Sequence, residues 1–286
     1  MANLKEIRNR IASIGSTMKI TSAMKMVSAA KLKKAQDAIT AMRPYANKLT
    51  ELLQNLSATL DSNDGGIYTE EREVNKVLIV TITSNRGLCG AFNSSVIKEV
   101  RSIIETQYAG KEVSLLTIGK KGNDLLAKEY SILKNESDVY DELTFENVSK
   151  IAEFLMRQFE EGNFDKIEFV YNAFKNAATQ ILTKEQFLPI LPPETENSSN
   201  TDYIFEPSKQ EIVAGLIPKS LKTQLFKAIR DSYAAEHGAR MTAMHKATDN
   251  ATELRDDLLL IYNKARQAAI TNEILEIVGG AEALKN

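Results

Sequence analysis

Seventeen positions, spaced alternately three and four residues apart, run from Leu4 to Leu60 without a slip. They are Leu4, Ile7, Ile11, Ile14, Met18, Thr21, Lys25, Ser28, Leu32, Ala35, Ile39, Met42, Ala46, Leu49, Leu53, Leu56 and Leu60. Only a helix that repeats its face every 3.5 residues places such a series on one line. The pattern predicts a helix from about residue 3 to 60, about 85 Å long at ~1.5 Å per residue. Pro44 should kink it, because the ring removes one backbone hydrogen bond and crowds the previous turn.

The other end of the chain carries a second long helix. After Pro207 and Pro218, no proline interrupts the stretch from Ser220 to about Ala283. Its seam reads Met244, Ala247, Ala251, Leu254, Leu258, Ile261, Ala265, Ala268, and its alanines permit close helix packing. Gly279-Gly280 should end it. Two long seamed helices at opposite ends predict an antiparallel coiled coil that joins the termini.

Between them the period changes. Val77 to Thr83 is a continuous β-branched run, the signature of a buried strand. A glycine turn follows (Asn85-Arg86-Gly87-Leu88-Cys89-Gly90), then helix over 94–108, strand over 113–118, and a helix from Gly122 to Tyr130. Helix over 145–159 and strands over 167–174 and 180–188 complete the zone, and Pro192 to Asp202 reads as a polar loop. Alternating strands and helices argue for a mostly parallel, Rossmann-like α/β layer domain. The expected fold is therefore α+α/β: a coiled-coil helix over 1–60, an inserted α/β domain over 75–206, and a second coiled-coil helix over 210–286.

Charge is segregated along this plan. Residues 1–43 hold nine Lys/Arg against two Asp/Glu, whereas residues 61–210 hold 16 basic and 25 acidic residues. Such a field reports a partner or a solvated face. Nucleic acid is disfavoured, because no aromatic platform interleaves the basic stretch and the remainder is acidic. No run of 18 apolar residues exists to span a membrane, and the N-terminal stretch has neither the apolar core of a secretory signal nor the look of a transit peptide. A single cysteine and two histidines argue against an internal disulfide and a structural zinc site, and suggest a reducing compartment.

No constellation reads as catalytic. The turn SNRGLCG follows a strand where α/β domains often hold phosphate, but it lacks both dinucleotide and P-loop glycine spacing. Cys89 has no histidine near it in sequence, and both histidines fall on the C-terminal helix, so a structural thiol is expected. The basic stretch Lys19–Lys34 is more informative. There the seam turns polar at Thr21, Lys25 and Ser28, while Met24 and Val27 step one residue aside. Either the helix faces something other than its partner there, or this is a solvated basic face. At the other end, Tyr262–Ala281 sets Arg266, Gln267, Asn272 and Glu273 among small apolar residues.

Three blocks resemble the gamma subunits of F-type ATP synthases: KEIRNRIASIGSTMKITSAMKMVSAAKLKKAQ followed by RPYA, the central TSNRGLCGAFN, and the closing RMTAMHKATDNATELRDDLLLIYNKARQAAITNEILEIVGGA. The resemblance runs the length of the chain, in order. It implies a central rotor shaft that couples proton-driven rotation of a membrane ring to conformational change in catalytic subunits. The implied partners are the alpha and beta subunits of the catalytic hexamer, the epsilon subunit and the membrane c-subunit ring. No cofactor, no direct nucleotide binding and no catalysis by this chain are implied. Met24 would face an acidic loop of the beta subunit, with Lys25, Lys31, Lys33 and Lys34 adding positive charge. Arg240, Arg266, Gln267, Thr271 and Glu273 would engage a beta-subunit loop further up the bore. Tyr203, Phe205 and Glu206 would belong to the foot beside the membrane ring, with Phe205 where the family often has tyrosine. No cysteine-pair insertion of the chloroplast kind is present, so a bacterial enzyme at the cytoplasmic face of the plasma membrane is implied. The competing readings are a coiled-coil tether without rotary role and a small-molecule enzyme built on the α/β domain. At the bearing, few large apolar patches are expected, since they would stick.

Overall fold

The computed structural model describes residues 4–57, 67–70, 72–190 and 209–283. The sequence of elements is α1 (Leu4–Ser57), β1 (Lys76–Ile82), α2 (Phe92–Thr106), β2 (Glu112–Ile118), α3 (Lys120–Leu126), β3 (Ser131–Asn135), α4 (Phe145–Glu160), β4 (Lys166–Phe174), β5 (Gln180–Leu188) and α5 (Lys209–Ala283). Two compact units result, one of residues 29–240 and one of residues 1–28 with 241–286.

In the first unit the five strands form one sheet in the order β3-β2-β1-β4-β5. The first four are mutually parallel, and β5 returns antiparallel on β4. This is the arrangement expected of a Rossmann-like half. Along β1, Leu78, Val80 and Ile82 face one layer and Val77 and Ile79 the other, as the two-residue period of a strand requires. The first layer holds Val148, Ile151, Ala152, Leu155, Met156 and Phe159 of α4, spaced as one helical stripe. Ile217, Leu221, Leu225, Ala228 and Ile229 of α5 complete it. The second layer holds Val96, Ile97, Val100 and Ile103 of α2. Both sheet faces are covered, which is why β1 reads as a continuous apolar run.

Local signals set several boundaries. Thr144 caps α4 by accepting from the Asn147 amide. Gly119 sits at φ 108° before α3, where a Cβ would fall 2.1 Å from the Thr83 carbonyl oxygen, so only glycine fits. Strand β3 has no counterpart in the sequence reading. It is a short edge strand with one half-buried and four exposed positions, so it carries almost no apolar signal.

Helix α1 spans Leu4–Ser57 with Pro44 inside it. Two expectations for α5 need correction. Helix α5 begins at Lys209 and runs through Pro218, rather than starting after it. An internal proline costs about 3 kcal/mol. Burial of Ile217 and Leu221 on either side offsets that at roughly 1.5–3 kcal/mol each. Gly279 and Gly280 lie inside α5, neither with the positive φ of a helix-ending cap.

In the second unit the two helices run antiparallel. Thr21 and Thr248 share a 2.7 Å hydroxyl hydrogen bond, and Arg8 donates to the Tyr262 hydroxyl at 2.8 Å. Thirteen residues back along α1 thus correspond to fourteen forward along α5. The α1 seam holds at every described position, each being buried or half-buried. The α5 seam holds only at first. Its covered positions include Met244, Ala247, Thr248, Ala251, Thr252, Arg255, Leu258, Tyr262, Ala265 and Ala269. From Leu254 on, alternate positions are displaced by one residue from the sequence-based seam, leaving Leu254 and Ile261 each 52% exposed.

Candidate partner surfaces and an anchored glycine turn

The paired unit has a polar window in its seam. Thr21 and Ser28 are buried there, and Met24 and Lys25 are half-buried. Around them Ile20, Met26 and Val27 are exposed, Met26 at 65%. Apolar residues that would normally be seam therefore stand on the outer surface of α1, and Met26 presents a soft, adaptable side chain. Lys31, Lys33 and Lys34, in the part of α1 belonging to the sheet-containing unit, are all exposed.

Pairing with α1 ends near residue 269 of α5, and every position from Ile270 to Glu282 is exposed. Arg266, Gln267, Thr271 and Glu273 are exposed as well, the Thr271 hydroxyl donating to the Gln267 carbonyl at 2.9 Å. Large apolar groups stand out here. Ile270, Ile274, Ile277 and Val278 form an uncovered stripe at i, i+4, i+7 and i+8, with Ile277 71% exposed, and Leu275 stands beside it. Sequence reasoning missed these residues, although that spacing was there to be read. A stripe of this kind marks a protein-contact surface.

Arg240 behaves differently from the other expected contact residues. It is 7% exposed, and its guanidinium serves its own chain. Nη2 donates to the Arg86 carbonyl at 2.8 Å and to the Gly87 carbonyl at 3.2 Å, and Nε donates to Gly87 at 3.2 Å. Nη1 meets Glu236 Oε1 at 2.6 Å, an ion pair buried on both sides. Within the chain Arg240 is thus an internal anchor. Sequence could not reveal this, because the bond joins residues 153 and 154 positions apart.

The anchored turn is held throughout. Ser84 Oγ also donates to the Arg86 carbonyl, and the Tyr140 hydroxyl donates to Thr83. Leu88 takes a left-handed φ of 61° with its side chain outward, a conformation that bulky residues keep only when their surroundings impose it. Cys89 points inward against Phe92, Ala235, Ala239 and Phe174, and burial raises its thiol pKa. Burial likewise raises the Glu236 carboxyl, against the opposing pull of Arg240. His237 is pushed down to about 3 by burial and then by the charges of Arg240 and Lys31, so its ring is neutral.

This cluster fills the place where a Rossmann-like sheet would hold a ligand. The order reverses between β1 and β4, and ligands bind outside the carboxyl ends of strands at such a switch point. Here that crevice holds Cys89, Phe92, Phe174 and the side chains of α5. Tyr203, Phe205 and Glu206 lie outside the described residues. Among the described residues no helix is long and apolar enough to cross a membrane.

Comparison with known proteins gives one consistent answer. A family model described as ATP synthase matches residues 3–284. The ATP synthase gamma chain of Flavobacterium psychrophilum is 72% identical over 286 residues, covering all of both chains. That of Geobacter sp. (strain M21) is 45% identical over 287 residues, again covering both in full. Among solved structures, a chain of the Tetrahymena thermophila mitochondrial ATP synthase central stalk and c-ring is 25% identical, with a TM-score of 0.60 over 80% of this chain and 99% of that one. A chain of the Euglena gracilis mitochondrial ATP synthase rotor has a TM-score of 0.67 at 20% identity, covering 93% and 98%, which supports the fold.

Proposed function

The chain belongs to the ATP synthase gamma-chain family, and from that premise we propose that it is the non-catalytic central rotor shaft of a bacterial F-type ATP synthase. Its partners are the alpha and beta subunits of the catalytic hexamer, the epsilon subunit and the membrane c-subunit ring. The complex would carry it as a peripheral subunit at the cytoplasmic face of the plasma membrane. The functional division is a shaft helix over 1–60, a foot over 75–206 and a shaft helix over 210–286.

The observation that carries this reading is the α5 end, whose apolar stripe outruns its pairing with α1. An uncovered Ile270–Val278 stripe needs a sleeve to bury it, and the bore of a ring of subunits is such a sleeve. The filled crevice at the switch point favours a shaft over a nucleotide-binding enzyme.

Torque follows from asymmetry. One shaft inside a pseudo-threefold ring presents different side chains to each beta subunit. Its orientation therefore acts as a ligand with different affinity for each beta conformation, and rotation cycles their populations. Met24, Lys25, Lys31, Lys33 and Lys34 are the surface for an acidic beta loop. Arg266, Gln267, Thr271 and Glu273 meet a second loop, and Tyr203, Phe205 and Glu206 belong to the foot. Met24→Lys adds like charge beside Lys25 and should lower ATP-driven proton pumping by the reconstituted complex more than it lowers ATP hydrolysis. Pumping at the wild-type level would overturn the role given to this surface.

A further inference from the structure

We propose that residues Ala235–Arg240 of α5 form the joint at which the sheet-containing unit grips the helix against rotation, with Arg240 as its positioning residue. The inference rests on the rotor reading, because a foot that is turned must hand its torque to the shaft somewhere.

Two kinds of contact hold α5 in that unit. Over Ile217–Ile229 the contact is mainly apolar side chains on the sheet and α4, with Lys222 paired to Glu153 and Gln224 donating to Glu185 and to the Gln186 carbonyl at its edge. Such burial is strong but non-directional, so it opposes separation more than slip. Over Ala235–Arg240 the contact changes character. A planar guanidinium meets two carbonyls of the glycine turn and one carboxylate in fixed directions. The opposite side of the helix is pinned by shape. A Cβ on Gly238 would lie 3.1 Å from the Ala177 oxygen and 3.2 Å from its Cα, so α5 touches the β4–β5 turn backbone there. Ala235 and Ala239 let Cys89, Phe92 and Phe174 close in between. Turning α5 about its axis would break charged hydrogen bonds on one side and drive backbone into backbone on the other. The compact unit ends at Arg240, so the joint lies at its boundary along the helix.

Cys89, the only cysteine of the chain, lies in the gripped turn and reports on it. In the purified full-length chain, Arg240→Gln should raise the rate of Cys89 labelling by a small maleimide about tenfold or more at unchanged helical content, because a buried charged anchor is lost and the turn opens locally. Arg240→Lys should fall between, since one ammonium cannot reproduce the fork. If Arg240→Gln does not fold, Gly238→Ala tests the other side of the joint by the same readout. In the reconstituted complex, Arg240→Gln should keep ATP hydrolysis while protons pumped per ATP fall by at least about twofold. Unchanged Cys89 labelling overturns the grip. Labelling that rises while the pumping ratio stays at the wild-type value overturns its torque role. A wild-type chain that supports no pumping when assembled overturns the rotor reading and leaves the grip standing.

Discussion

The sheet-containing unit and the paired terminal helices bury their apolar residues to different degrees. In β1 every residue from Val77 to Ile82 is buried, and helices cover both sheet faces. In the terminal unit most seam positions are only half-buried, and Leu254, Leu260, Ile261 and the Ile270–Val278 stripe are uncovered. The first region completes its own core. The second is half of an interface, since two helices cannot cover each other on more than one side.

Substitutions should break or sharpen that contrast in a graded order. Phe159→Ala in the sheet core removes a fully buried ring of α4. It should cost about 3–5 kcal/mol in chemical denaturation; a loss as small as that of a surface change would deny the domain an independent core.

The next effect is pH dependence at the glycine-turn anchor. His237 titrates near 6.5 when unfolded and at about 3 when folded, so between these values the unfolded chain binds more protons. Stability from its neutral ring is present above pH 6.5 and is lost as pH falls from there toward 3. The raised Glu236 works in the opposite sense, its contribution being lost as pH rises above the ordinary carboxyl range. His237→Gln should therefore lose less stability than wild type between pH 7 and pH 5, by about 1–2 kcal/mol. Parallel denaturation curves for the two proteins across that range would contradict the buried neutral ring.

Within the coil, Thr21→Val should cost about 0.5–1 kcal/mol, because Thr248 loses its partner across the seam. Thr21→Val with Thr248→Val should recover most of that, as removal of both partners is nearly neutral. A double variant as weak as the sum of the singles would mean the hydroxyls do not interact. The smallest effect on the chain itself should come from Ile274→Ser, within about 0.5 kcal/mol, because that side chain is 55% exposed. Its effect should surface instead as faster loss of the chain from the assembled complex, and retention equal to wild type would argue that no sleeve covers it.

Much of the fold was legible because its signals are local. The alternating three-four spacing gave α1 and, at the described seam positions, its covered face. The β-branched runs gave β1, β2 and β4, and β5 spans 180–188 as its pattern suggested. Edge strand β3 was silent, since exposed residues leave no periodic mark. The exposed contact candidates were readable only through resemblance to a family, because a solvated basic face and a binding face look alike in sequence.

What the sequence determined by itself was where most of the helices and strands lie, edge strand β3 apart, since hydrophobic period depends on neighbours a few residues away. Only the tertiary structure decided which face of α5 meets α1, that Pro218 lies within a helix, and that Arg240 turns inward to the Arg86 and Gly87 carbonyls. Each of those depends on a partner from a distant part of the chain. The same amphipathic stripe or the same arginine serves equally well pointed either way until that partner is in place.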